Sequence, residues 1–363
     1  MSTSTRHPPR VTVLMSVFNG EPFLAPAIES ILRQTFTDFE FLIIDDASTD
    51  GSLAITRSFA DPRIRVIVNE ANIGLTRSLN KGLAAITTEL VARQDADDVS
   101  ARRRLEAQVA FMDDHPNVAV VGTQARLIGA NGAALGPLLP WRASSDLGLR
   151  WQMMIDSGFV HSSVMFRKAV VRDELGGYDE TFRTGQDAEL WTRVARRGSL
   201  ANLGASLVDL RTHAGSISHG EARGSDASIR GGEVCFGRSI GDARFDHIVG
   251  ESWVILYAGV YYNRPVDSAG ARALVRGLAD LVAAVMSSPG ERAAKREFAR
   301  TASAKFMLIA KYLLQQGRRL HSLSALGRAI ACSATTTLSM GWRYLWRRAL
   351  LSLSWRHRVP ASP

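Results

Sequence analysis

Four apolar runs, Val11–Val17, Phe39–Ile44, Ile64–Val68 and Glu89–Gln94, punctuate the first hundred residues, and segments of helical pattern fill the gaps between them. Ile28, Ile31 and Leu32 recur at helical spacing behind Pro22, a residue tolerated at a first helical position. Asp46 to Ser52 supplies capping residues for a helix running to Phe59, and Leu75–Ile86 reads as a third helix. Strands that are apolar throughout, rather than on alternate positions, are covered on both faces. Alternated with helices, they predict an α/β domain with a mostly parallel central sheet.

Each run ends in polar residues. Phe18-Asn19 follows the first, Asp45-Asp46 the second and Asp95-Ala-Asp97-Asp98 the fourth. Open α/β sheets bind ligands outside the carboxyl ends of their strands, so these groups are expected to share one rim. Three carboxylates within four positions repel one another unless a cation lies between them, which makes Asp95 and Asp97 metal candidates. An isolated DxD is more often a solvated turn or a helix cap; its place beside two other polar strand ends favours the site. No GxGxxG follows the first strand and no GxxxxGK[ST] occurs, so neither a Rossmann dinucleotide cradle nor a P-loop is present. A few aspartates with open positions suit Mg²⁺ or Mn²⁺ bridging a diphosphate.

In order and spacing, SVFNGEPFLAPAIESILRQTFTDFEFLIIDDASTDGS, NEANIGLTRSLNKGL and ARQDADD resemble the family 2 inverting glycosyltransferases of GT-A fold, over about Val11–Ser218. The resemblance implies a nucleotide-diphosphate sugar donor and a glycan or lipid-linked acceptor. It places the nucleotide near Ser16, Phe18, Asn19, Asp46, Arg77 and Asp95: Phe18, where Tyr is commoner, would stack on the base, and Asp46 would accept the base N–H. Asp95 and Asp97 would hold the metal, with Asp98 auxiliary and His213 of Arg211-Thr-His213 a further contact. In Gly185-Gln-Asp-Ala-Glu, the motif that usually reads Glu-Asp, Asp187 falls at the position of the base, and Gln186 is the departure. Each has a plainer competitor: Phe18 as a cover for the sheet edge, Asp46 as a helix cap, Arg77 as a solvated charge, Asp187 as a helix-dipole partner, and His213 as a satisfied polar residue. His161–Arg167 is read as another strand, and Leu207–Leu210 as the last.

The chain has 363 residues, 46% hydrophobic and 22% charged, enough for a large core and more than one average domain. The expected organisation is a disordered 1–10, a catalytic domain over 11–219 with nucleotide and acceptor halves meeting at 98/99, a linker over 220–245, and a helical basic region over 246–363. Two cysteines without CxxC spacing fit a reducing compartment, and MSTSTRHPPR lacks the apolar core of a signal peptide, so a cytoplasmic location is expected. After Glu297 no acidic residue occurs, and eleven Lys and Arg follow; with a net charge of +9, residues 1–297 stand at −2. Leu338, Trp342, Leu345, Trp346, Ala349, Leu350 and Leu353 recur at helical spacing among Arg343, Arg347 and Arg348, the pattern of a helix lying on the inner face of an anionic membrane. A slightly acidic body with no recognition motif argues against nucleic acid as partner. A non-catalytic scaffold would be expected to lose carboxylates that this chain keeps, and a nucleotidyltransferase would leave the Asp187 region unexplained.

Overall fold

The computed structural model describes residues 8–138, 142–182, 185–216 and 265–333. The expected 220–245 linker and the 338–353 amphipathic helix lie outside the described residues, as do residues 1–7 of the expected disordered lead-in. Arg10 is tied down by an ion pair to Asp113, so order begins before Val11.

The first half follows the predicted alternation: β1 (Val11–Val17), α1 (Glu21–Leu32), β2 (Phe39–Asp45), α2 (Ser52–Ser58), β3 (Ile64–Val68), α3 (Leu75–Ala85) and β4 (Leu90–Asp95). After β5 (Val99–Ser100) come α4 (Arg104–Asp114), β6 (Val118–Gly129), β7 (Ala134–Pro137), α5 (Asp146–Met153), β8 (Met165–Arg167), α6 (Gln186–Val194) and β9 (Ser199–Thr212). The sheet runs β3-β2-β1-β4-β8-β6-β9-β5, with β7 paired to β6. Strands β3, β2, β1 and β4 are mutually parallel; β8 is antiparallel to β4 and β6, while β6 and β9 run parallel. The sheet is therefore parallel in its first half and mixed in its second.

The pleat sorts each continuous apolar strand to two cores. Val11, Val13, Met15 and Val17 of β1 pack with Phe39, Phe41 and Ile43 of β2 against Leu24, Ile28 and Ile31 of α1 and Leu105 and Met112 of α4. Leu14, Leu42 and Ile44 face the other way, against Leu79 and Leu83 of α3, and the same core takes in Leu190, Trp191 and Val194 of α6. Register carries the strand ends to a common edge: Ser16 lies opposite both Ile44 and Asp95, and Val17 opposite Asp45.

The reading of His161–Arg167 as a strand is corrected: His161–Ser163 form a 3-10 turn, and only Met165–Arg167 pair. The cause lies in the serines. Ser163 Oγ donates to the Val160 carbonyl at 2.8 Å and Ser162 Oγ to the Asp98 carboxylate, which curls the backbone before it reaches the sheet. The last strand is also longer than Leu207–Leu210, because β9 pairs with β6 along most of its length.

Three helices close the described chain: α7 (Ser268–Ser287), α8 (Arg292–Gln315) and α9 (Arg319–Cys332). They share one core with Trp151 of α5 and with Met154 and Ile155 just beyond it. Polar contacts fix the join. Glu297 accepts from Ser145 Oγ at 2.8 Å and from the Ser144 amide at 3.0 Å, and Asp156 is paired with Arg142 at 2.7 Å and Lys305 at 3.0 Å. Burial works against ionisation of Asp156, but Lys305 and Arg142 outweigh it and hold its pKa to about 2. A depressed carboxylate stabilises the fold above its unfolded value of 3.8, and that contribution is lost as pH falls toward 2. Asp156→Ala removes the carboxylate that Arg142 and Lys305 share and is expected to cost about 3–5 kcal/mol in urea unfolding at neutral pH. The gap from the native chain should narrow between pH 4 and 2; a gap that is flat over that window would contradict the pairing.

Candidate functional site at the carboxyl rim

The loops after β1 and β2 are knitted together. The Asn19 amide donates to Ser48 Oγ at 3.2 Å, and Asn19 Oδ1 accepts from the Thr49 amide at 2.8 Å. Asp50 Oδ2 accepts from the Glu21 amide, and Glu21 Oε2 returns the contact by accepting from the Gly51 amide. Asn19 and Ala47 both sit at positive φ, 51° and 60°, a strain that clusters at functional loops. Asn19 thus shapes the rim through its own hydrogen bonds. Ser16 is buried, and Phe18 is 48% exposed.

Asp46 is 2% exposed. Its Oδ1 accepts from Asn69 Nδ2 at 2.7 Å and the Ile73 amide at 3.0 Å, and Oδ2 accepts from the Gly74 amide at 2.9 Å. In this arrangement Asp46 fixes the loop ahead of α3 and retains one lone pair on Oδ2 for a further donor. Arg77 is exposed on α3 and lies 3.4 Å from Glu180, so its charge projects from the rim into solvent.

The end of β4 is the electrostatic centre. Arg93 is fully buried and points along the same strand face as Asp95, donating to it at 2.5 Å through Nη2. Burial opposes ionisation of Asp95, yet Arg93 carries its carboxyl below the ordinary range. Asp97 is pushed up, first by burial and then by the neighbouring Asp95 charge, although His213 lies 3.0 Å from its Oδ2. Asp98 is raised furthest, by burial and by both neighbours. The carboxylates are thus not equivalent. Asp98 accepts from Ser162 Oγ and, at 2.8 Å, from the Arg211 amide, so it binds β4 to the 3-10 turn and to β9. Each of its oxygens thus accepts from one protein donor.

His213 is held by packing as well as by Asp97. Its ring lies 4.5 Å from that of Phe23, and Arg211 covers the same Phe23 ring at 4.9 Å while donating to the Asp97 carbonyl at 2.8 Å. The structure therefore unites Asp95, Asp97 and His213 across 116 positions of sequence.

Asp187 lies in the first turn of α6, part-buried, following Gly185 in left-handed conformation. Its charge and that of Asp95 both act on His161 and Tyr178; the His161 ring lies 6.3 Å from that of Trp191 on the same helix as Asp187, and the neighbouring Ser162 donates to Asp98. Neither His161 nor Tyr178 was singled out from sequence; nor were Arg93 and Arg104. The signal for Arg93 was there: a charge inside Leu90-Val91-Ala92-Arg93, two residues before Asp95. Arg104 is also fully buried, and burial and the nearby Arg93 lower its pKa to about 9.

Asp95 and Asp97 fit a divalent cation in their chemistry. Both are hard oxygen ligands, and the repulsion from Asp95 that, after burial, raises Asp97 is what a cation relieves. Among the described residues no group of three or more His, Cys, Asp or Glu is arranged to enclose a metal, so the remaining ligands would have to come from a substrate or water.

Residues 12–175 match the family model described as Glycosyl transferase family 2. The putative glycosyltransferase EpsE of Bacillus subtilis (strain 168) is 39% identical over 198 residues, covering 52% of this chain and 68% of that protein. The amylovoran biosynthesis glycosyltransferase AmsE of Erwinia amylovora is 32% identical over 218 residues, covering 59% and 79%. Among solved structures, mannosyltransferase PcManGT from Pyrobaculum calidifontis, in complex with GDP-Man and Mn²⁺, superposes with a TM-score of 0.53 at 20% identity, over 90% of this chain and 88% of that one. That likeness extends to the architecture, which is the GT-A fold. The mixed sheet, the acidic rim and this kinship agree: the chain belongs to glycosyltransferase family 2.

Proposed function

We propose that this protein is a metal-dependent inverting glycosyltransferase, which moves a sugar from a nucleotide-diphosphate donor to a glycan or lipid-linked acceptor in cell-surface polysaccharide synthesis. The observation that carries the reading is the rim itself: Asp95 at the end of β4 and Asp97 just beyond it, with His213 brought back to Asp97 at 3.0 Å. A relative named for amylovoran biosynthesis and a structural neighbour bound to GDP-Man and Mn²⁺ support the pathway class, the donor class and the metal.

In this reading Phe18 stacks on the base, Ser16, Asn19 and Asp46 shape its pocket, and Arg77 lies at its edge. Asp95 and Asp97, with His213 beside them, hold the divalent ion that offsets the charge of the departing diphosphate. Asp187 takes the proton of the acceptor hydroxyl as that oxygen bonds to the anomeric carbon; the bond to the diphosphate breaks on the opposite face, and the electron pair leaves with the phosphate oxygen. The configuration at carbon inverts because a single displacement occurs. Gln186, buried at the start of α6, positions Asp187 without adding a second charge.

The proposed setting is the cytoplasmic face of an anionic membrane. No described helix is long and apolar enough to cross one. Support comes from α9, where Leu320, Leu323 and Ile330 are 80%, 64% and 51% exposed and are flanked by Arg319 and Arg328. Sedimentation of the full chain with vesicles containing phosphatidylglycerol should fall as salt rises; binding to neutral phosphatidylcholine of equal strength would count against the charge argument.

Two substitutions test the chemistry. Calorimetric titration of UDP, GDP and dTDP with and without Mn²⁺ should find one nucleotide whose binding needs the metal and is lost in Asp97→Ala; binding indifferent to both makes the DADD stretch a structural turn. Asp187→Asn should lower turnover by about 10²–10⁴ while nucleotide affinity is kept. A loss of affinity in its place would make Asp187 a ligand.

A further inference from the structure

Next to the 3-10 turn that Asp98 holds stand two neutral polar side chains to which the reaction just described gives no task. His161 Nε2 lies 2.8 Å from the Tyr178 hydroxyl, and the imidazole meets the rings of Tyr178 and Trp191 edge-on, at 5.6 and 6.3 Å. Tyr178 is buried to 3% exposure and Trp191 completely, whereas His161 is only part-buried. The ring is held on its Nε2 side by Tyr178 and packed against Trp191. Its Nδ1 makes no hydrogen bond among the described residues.

The charge state is set by the surroundings. Burial, and then the Arg93 guanidinium, pull His161 down to about 4 against the opposing pull of Asp187 and Asp95, and burial pushes the Tyr178 phenol above its ordinary range. At neutral pH this is an uncharged imidazole backed by an uncharged phenol. Such an imidazole carries one N–H and one lone pair, and the Tyr178 hydroxyl can either donate to Nε2 or accept from it. Nδ1 is then an acceptor or a donor, whichever Tyr178 leaves to it. A phosphate oxygen can only accept and an ammonium can only donate; a hydroxyl does both.

We infer that His161 Nδ1 is a hydroxyl-recognition point for the transferred sugar ring of the donor, with Tyr178 as the positioning residue that fixes the imidazole. Location supports this: Ser162, the next residue, donates to Asp98 of the acidic turn, and the His161 ring lies 6.3 Å from that of Trp191, four positions along α6 from Asp187, so His161 borders both the turn assigned to the diphosphate and the helix assigned to the acceptor. The inference rests on the donor reading above, and the test separates the two.

The probes are the pairs UDP with UDP-glucose or UDP-N-acetylglucosamine, GDP with GDP-mannose, and dTDP with dTDP-glucose, titrated with Mn²⁺ against the full chain. The native protein should bind one sugar-linked nucleotide more tightly than its free diphosphate. In His161→Gln, whose amide cannot reach the Nδ1 position, that preference should fall by about 2- to 12-fold, the worth of one neutral hydrogen bond, while free-diphosphate affinity stays unchanged. His161→Asn places an amide near the former Nδ1 and should restore part of the preference. Tyr178→Phe, which keeps the buried ring, should give an intermediate loss. Equal weakening of free and sugar-linked nucleotide, a preference that survives in His161→Gln, or a native chain that prefers none of the sugar-linked forms would each overturn the inference. A native chain that binds no nucleotide at all removes the donor reading, and this inference with it.

Discussion

Two arginines without solvent hold the rim together. Arg93 and Arg104 are both fully buried, which is costly for any cation unless its donors are met and a countercharge is near. Arg104 spreads its donors over Gln108, Gln94, Ser100 and the carbonyls of Arg93 and Val164, and Arg93 reaches Asp95 and the Gln94 carbonyl. The countercharge is the acidic cluster itself. A rim of three carboxylates would destabilise the end of β4, and two buried guanidinium groups would destabilise the core; placed one above the other, each lowers the cost of the other. The same arrangement makes the three aspartates chemically unlike, with Asp95 kept ionised, Asp97 shared with His213, and Asp98 turned inward as a tie between strands.

This network also explains how a mixed sheet keeps one continuous rim. The strand that follows the acidic turn, β5, does not pair with β4 but crosses to β9, and Gln94 spans the gap by donating to the carbonyls of Asp95 and Asp98 and accepting from Ser100 Oγ. The turn is closed by side chains where the ladder could not close it. Its fixed shape brings His213, at the far end of β9, back over Asp97.

Much of this was legible because it is local. Each strand of the parallel half is a single apolar run, its cap or turn follows at once, and the carboxyl-rim rule then sets Ser16, Asp46 and Asp95 on a common edge. What escaped was non-local. His161-Ser-Ser has the composition of a strand beginning, and one of the two contacts that make it a turn reaches the Asp98 carboxylate, 64 positions earlier. The long β6–β9 pair is built from Gly, Ala, Ser, Asn and Gln as much as from Val and Leu, so its sequence carries little strand signal until the partner is present. Arg104 reads as an ordinary helix charge because sequence does not show that a cation is buried, whereas Arg93 carried a signal in its place within an apolar run. The importance of Tyr178 likewise depends on a neighbour 17 positions away.

The way α8 docks bears on how the chain is made. Trp151, Met154 and Ile155 belong to the catalytic half, but the surface that covers them comes from Phe298, Ala302, Phe306 and Ile309, and the cap on the loop before α5 comes from Glu297. During synthesis from the N-terminus the sheet and its rim can be complete while this apolar patch remains open, until roughly 90 further residues, from His213 to Lys305, have emerged. Throughout that interval the nascent chain would expose a tryptophan-centred surface and the buried-to-be Asp156, and it becomes a finished molecule only when Lys305 arrives to join them.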